Sequence, residues 1–160
     1  MASTLNSVQA AASQSPVTGS RAGMPVTVRF EYSLSAALVV NDIIYMGDLP
    51  AGHLPVDLMV DSDDLDTGGS PAIVLQAGIL NAGKTDIDAT ASGGAEWLGS
   101  STVGQAGGMA RMSGKAMSRV AVDDTNDRAM GIKVSTAPAT GATSGKVGFT
   151  ITYRPTSFNG

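Results

Sequence analysis

Apolar and polar residues alternate along several short stretches of the chain, the period of two expected of strands with one buried face. The clearest stretch follows Pro25, where Val26, Val28, Phe30, Tyr32 and Leu34 alternate with Thr27, Arg29, Glu31 and Ser33. The last, Lys146–Arg154, sets Val147, Phe149, Ile151 and Tyr153 against Gly148, Thr150, Thr152 and Arg154. Each large side chain buried in such a strand contributes about 1.5–3 kcal/mol. In Val56–Leu80, two apolar runs flank DSDDLDTGGSP, rich in Asp, Gly and Pro. Those residues favour turns, so the stretch predicts a long β-hairpin with one face buried. A second hairpin is expected from Ser118, Val120 and Val122, a turn at Asp123–Arg128, and then Met130, Ile132 and Val134.

The intervening segments are less regular. Ala36–Met46 predicts two short strand pieces around Asn41-Asp42, and Asp48–Pro55, with two prolines and a glycine, predicts a loop. Residues 81–115 form a long connection in which Ala95–Leu98 opens a helical turn. Trp97 is expected to plug an open end of the core, a ligand-stacking role being the lesser reading. Connections of this length in a small domain are often interfacial, which makes Trp97 and Met109 candidate partner contacts. In all, seven or eight strands with no long helix predict an all-β fold, a two-sheet β-sandwich or jelly roll.

Residues 1–24 are small and polar and cannot bury enough apolar surface to offset about 1–2 kcal/mol of ordering entropy per residue. They predict a flexible N-terminal arm, either mobile or ordered only against a partner. Leu5, Val8 and Ala12 stand at helical spacing and are its candidate contacts. The expected organisation is therefore an arm (1–24), a sandwich domain (25–155) and a C-terminal tail (156–160).

Composition narrows the functional classes. The 160 residues include no cysteine, excluding disulfides and thiolate metal sites, and the net charge of −4 argues against nucleic acid as a partner. No apolar run approaches the roughly 20 residues that span a bilayer, and the N-terminus lacks the pattern of a secretory signal, so no membrane partner and no export are expected. Charged residues make up 15% of a chain with 20 glycines, a low-charge surface suited to a dense assembly.

Few residues suggest chemistry. Asp61, Asp63, Asp64 and Asp66, with Asp57 nearby, are the one carboxylate cluster that oxygen-seeking cations could use, yet Leu65 and the absence of a closing Glu depart from an EF-hand loop. The expectation is a solvated turn whose carboxylates cap backbone amides. His53 is the only histidine, Ser100 and Ser101 lack the nucleophile-elbow context, and Gly83-Lys84-Thr85 lacks the upstream glycine of a phosphate loop. Neither an enzyme nor a cofactor is expected.

Asp42–Gly47 (DIIYMG), Leu49–Gly52, Asp63–Asp66, Pro71–Gly78, Asn126–Ile132, Ala137–Gly141 and the ending Tyr153-Arg154-Pro155 together resemble small structural proteins encoded beside the major capsid protein of tailed bacteriophages. The resemblance covers about residues 25–155. It implies a capsid decoration, or cement, protein on the virion surface, bound to the major capsid protein and to itself as a dimer or trimer, bridging capsomers. A head fibre or host-adhesion module binding a surface glycan is the alternative.

Overall fold

A computed structural model of the protein describes residues 2–11 and 24–156. Their strands are β1 (Thr4–Asn6), β2 (Val26–Ser33), β3 (Ile43–Leu49), β4 (His53–Ser62), β5 (Val74–Ile79), β6 (Leu98–Ser101), β7 (Gly108–Arg111), β8 (Arg128–Thr136) and β9 (Lys146–Pro155). A single α-helical turn, α1 (Val8–Ala11), and 3-10 turns at Val103–Gln105 and Met117–Arg119 complete the described elements.

The strands form two sheets, ordered β1-β3-β8-β5-β6 and β2-β9-β4-β7. All pairings are antiparallel except β1 with β3, which is parallel. From β2 onward the chain passes back and forth between the sheets, only β5 and β6 being consecutive in one of them. Leaving β1 aside, this places four strands in each sheet, the topology of a jelly roll. The fold class expected from alternation is therefore the one observed.

Alternation explains which side chains meet between the sheets. Phe30, Leu58, Val60, Val147, Phe149 and Ile151 from one sheet are buried against Ile44, Met46, Leu75, Ala77, Ile132 and Val134 from the other. Phe30 and Phe149 meet with ring centroids 6.5 Å apart. The Phe30 ring also lies on Gly47, where a Cβ would come within 2.5 Å of ring carbon Cε1, so a glycine is required at that point of β3. On the outer face of the second sheet, Arg29 reaches across β9 to Asp61 (2.6 Å) and also bonds Glu31 (2.7 Å), while Lys146 bonds Glu31 from the other side (2.7 Å). Gly148 lies beneath this ladder, and a side chain there would collide with both Arg29 and Asp61.

Several local expectations change. The long hairpin of Val56–Leu80 does not exist: β4 belongs to one sheet and β5 to the other, and the acidic turn carries the chain across the core. The second hairpin is likewise absent, because residues 116–127 run as a 3-10 turn and irregular chain without a strand partner. Residues 36–42 form no strand; the amides of Val39 and Asn41 are taken instead by the Asp42 carboxylate (2.8 Å) and Val134 O (2.8 Å). The loop expected at 48–55 contracts to Pro50–Gly52, and Pro55 sits in β4 beside a register shift, along the part of β4 that β7 does not reach. A proline costs no ladder bond on such an edge. Residues 95–97 open no helix and lead instead into β6.

Of the arm expected over residues 1–24, residues 1 and 12–23 lie outside the described residues, as do residues 157–160 of the expected tail. Ser3–Ala11 lies on the protein's own domain, as β1 on the edge of β3 and α1 against β2 and β3.

Candidate functional site

The acidic turn does not bring its carboxylates together. Asp61 faces Arg29 on the outer face of the second sheet, Asp63 accepts the Lys146 amide (2.8 Å), and Asp64 accepts the Asp66 amide (3.0 Å). Asp66 is turned inward and is 1% exposed. Its Oδ2 accepts the amides of Ala72 (2.6 Å), Ile73 (3.1 Å) and Ala139 (2.8 Å), and its Oδ1 that of Thr140 (2.8 Å). Burial by itself would raise this carboxyl group. The four backbone donors outweigh that and hold it far below the ordinary aspartate range. Where a wholly solvated turn was the expectation, one buried carboxylate forms a clasp that ties 66–73 to 137–141. Among the described residues no group of three or more His, Cys, Asp or Glu side chains is arranged to hold a metal ion.

Other singled-out residues separate into core and surface. Trp97 is 0% exposed, with Nε1 donating to Ser92 O (2.9 Å). It is a core residue, and in this fold it cannot be the partner contact expected of it. His53 is buried at the start of β4, with Nδ1 2.8 Å from Ala51 O and its ring edge-on to Tyr153 at 5.6 Å. Burial pushes the Tyr153 phenol up to about 12. Met109, by contrast, is 73% exposed on the edge strand β7. Leu5 is half-buried and packs against the core, Val8 is 58% exposed, and Ala12 lies outside the described residues.

The side of the sandwich where the N-terminal segment lies holds contacts that alternation did not foretell. Asp42, 3% exposed, accepts both Ser3 N (2.7 Å) and Ser3 Oγ (3.1 Å) while holding the Val39 amide. Ile43 N donates to Ser3 O (2.9 Å) and Ser7 N to Tyr45 O (2.7 Å). Ser7 is fully buried, its Oγ donating to Met46 O and accepting the Ala10 amide (3.1 Å), which starts the turn of α1. Gln9 then treats β2 as a strand partner would: its Nε2 donates to Arg29 O (3.4 Å) and its Oε1 accepts Glu31 N (3.2 Å). A side-chain amide thus occupies part of an edge that would otherwise stand open. Nothing in the sequence singles out Ser7 or Gln9, because a lone Ser or Gln in a polar stretch carries no periodic signal.

Fold and site together define a jelly-roll structural module whose polar side chains are largely engaged in holding loops, edges and the N-terminal segment. Comparison with solved structures identifies the assembly. A chain in the capsid of Ralstonia phage GP4 is 34% identical, with a TM-score of 0.82, over 96% of this chain and 99% of that one. A chain from the capsid asymmetric unit of cyanophage Pam1 shares the fold, with a TM-score of 0.64 at 24% identity over 89% of this chain and 92% of that one. Neither the protein-family profiles nor the curated protein sequences give a match. The protein belongs to the family of bacteriophage capsid structural proteins represented by the GP4 chain, and its place is the virion capsid.

Proposed function

We propose that the protein is a decoration protein, which binds the assembled phage head and stabilises it by bridging capsomers of the major capsid protein. The observation that carries this reading is the reciprocal coverage of the GP4 capsid match, 96% of this chain and 99% of that one. One small jelly roll accounts for nearly all of the match to a chain solved in a phage capsid. The exposed Met109 on β7 and Val8 on α1 are the apolar residues best presented to a neighbour. Copies self-associate as a dimer or trimer at the joints between capsomers. A protein that binds only the assembled shell stabilises it by mass action, so no catalytic step is needed.

The test is co-sedimentation of the purified protein with mature capsids that lack it, followed by heating of the particles. Saturable binding that raises the temperature of particle rupture supports the reading. A well-folded protein that neither sediments with capsids nor alters their rupture temperature overturns it.

A further inference from the structure

The N-terminal segment fills a ready-made groove. Its floor is the edge of β3 and its far wall the edge of β2, and its fixed points are the Asp42 carboxylate, Ile43 N, Tyr45 O, Met46 O, Arg29 O and Glu31 N. These points are met by Ser3, Ser7 and Gln9. One further bond runs outside the groove, from Thr4 Oγ1 to Lys84 O (3.0 Å). Recognition is thus concentrated in nine residues and made mainly of hydrogen bonds to backbone, a small recognition unit that adds a strand to an open edge.

Ala11 and Met24 are separated by the twelve residues 12–23. A chain of that length spans up to about 40 Å when extended. A domain of this size is about 40 Å across. The N-terminal segment of one copy can therefore reach the same groove on a touching copy. Every partner it would find there is identical to the one it leaves. The exposed apolar side chains of Val39 and Val40 flank the Asp42 end of the groove, and that of Val8 lies on the segment itself.

From these contacts we propose that Ser3–Ala11 is exchanged between copies: in the oligomer, β1 and α1 of one chain occupy the β3–β2 groove of its neighbour, and the closed arrangement is the form of the isolated chain. The inference rests on the self-association in the proposed function, and not on binding to the shell. A tethered segment competes for its own groove at an effective concentration of about a millimolar, so exchange appears when copies are crowded and closure when they are dilute.

The absence of cysteine allows a direct test. Asn6 and Tyr45 are register partners across β1 and β3. A mass-tagged Asn6→Cys chain and an untagged Tyr45→Cys chain are mixed near a millimolar and oxidised. A disulfide-linked pair of unequal mass forms above the collision background only if the segment of one chain lies on β3 of the other. Asn6→Cys mixed with Thr143→Cys, in an exposed loop, sets the collision background. The expected result is an unequal-mass product several-fold above that background, with the Asn6→Cys/Tyr45→Cys double variant giving linked oligomers when concentrated and intrachain closure when dilute. Intrachain closure of the double variant at every concentration, with the mixture at background, overturns the proposal. No capsid enters this experiment, so failure of exchange and failure of shell binding are read separately.

Discussion

The two lateral sides of the sandwich are closed by different means. On one side β6 and β7 are joined through the turn at Val103–Gln105, and Trp97, Leu98, Val103 and Leu65 are buried there. Gly104 packs directly under Leu65, Ile73 and Leu75. That seal is apolar and continuous with the core, so opening it means unfolding. On the other side the seal is Ser3–Ala11, which contributes the fully buried Ser7 and the half-buried Leu5 and otherwise hydrogen bonds. Net hydrogen-bond contributions are about 0.5–1.5 kcal/mol each, so this side is separable from the fold. The contrast places the apolar seal on one side and, under the proposed exchange, association on the other.

The substitution with the largest expected effect acts on the apolar side. Trp97→Ala removes a wholly buried indole and its bond to Ser92 O, and is expected to cost about 3–5 kcal/mol in denaturant-induced unfolding. A loss below 1 kcal/mol would mean that this side is not the apolar seal described.

Asp66→Asn follows. The three amides on Oδ2 and the one on Oδ1 all donate, so whichever way the new amide is turned, at least one N–H faces another N–H. The native carboxyl is held below its unfolded value near 3.9, so the unfolded chain takes up the proton first as the medium is acidified. Its contribution is complete above about pH 5 and fades as pH falls through the native value. Glu31, Asp86 and Asp123 are also lowered and add to the same slope. The melting temperature of the native protein should thus be flat from neutral pH to about 5 and fall below it. In Asp66→Asn it should start lower and fall less steeply, and an unchanged slope would remove Asp66 from the account.

Ser7→Ala is smaller, about 1–3 kcal/mol, because the buried Met46 O loses the hydroxyl that it accepts from. It should also speed amide exchange at Ile43. Val8→Ser, at an exposed position, should change stability by less than about 0.5 kcal/mol but weaken self-association measured by sedimentation velocity.

Much of this was legible in the sequence, for a physical reason that also marks the limit. Alternation in Val26–Leu34, Met130–Val134 and Val147–Tyr153 reports which face of a strand is apolar; the last two stretches are strands buried on that face, and the first is a strand to Ser33 whose apolar face is half-buried except at the buried Phe30. Alternation does not report which sheet a strand joins. A turn rich in Asp and Gly looks alike whether it folds the chain back on itself or carries it across a core, and so β4 and β5 were expected as one hairpin. The alternation of Ser118, Val120 and Val122 is too short to distinguish a strand from irregular chain. Among the acidic residues, composition pointed to capping of amides, and that is what Asp63, Asp64 and Asp66 do, but nothing local singled out Asp66, since two of its four donors come from residues more than 70 positions away. The seat of Ser3–Ala11 was hidden for the same reason: its partners Asp42, Tyr45 and Met46 are distant in sequence, and its bonds are made by residues without hydrophobic pattern.

Native-state hydrogen exchange tests the contrast between the two sides most directly. The amides of Ser7 and Ile43, bonded to Tyr45 O and Ser3 O, report release of the N-terminal segment, and those of Trp97 and Val134, bonded to Ala77 O and Asp42 O, report the core. Exchange of Ser7 and Ile43 through a local opening, orders of magnitude faster than Trp97 and Val134 and insensitive to denaturant, is the predicted result. Exchange of all four amides at one common rate, with the denaturant dependence of global unfolding, would contradict it.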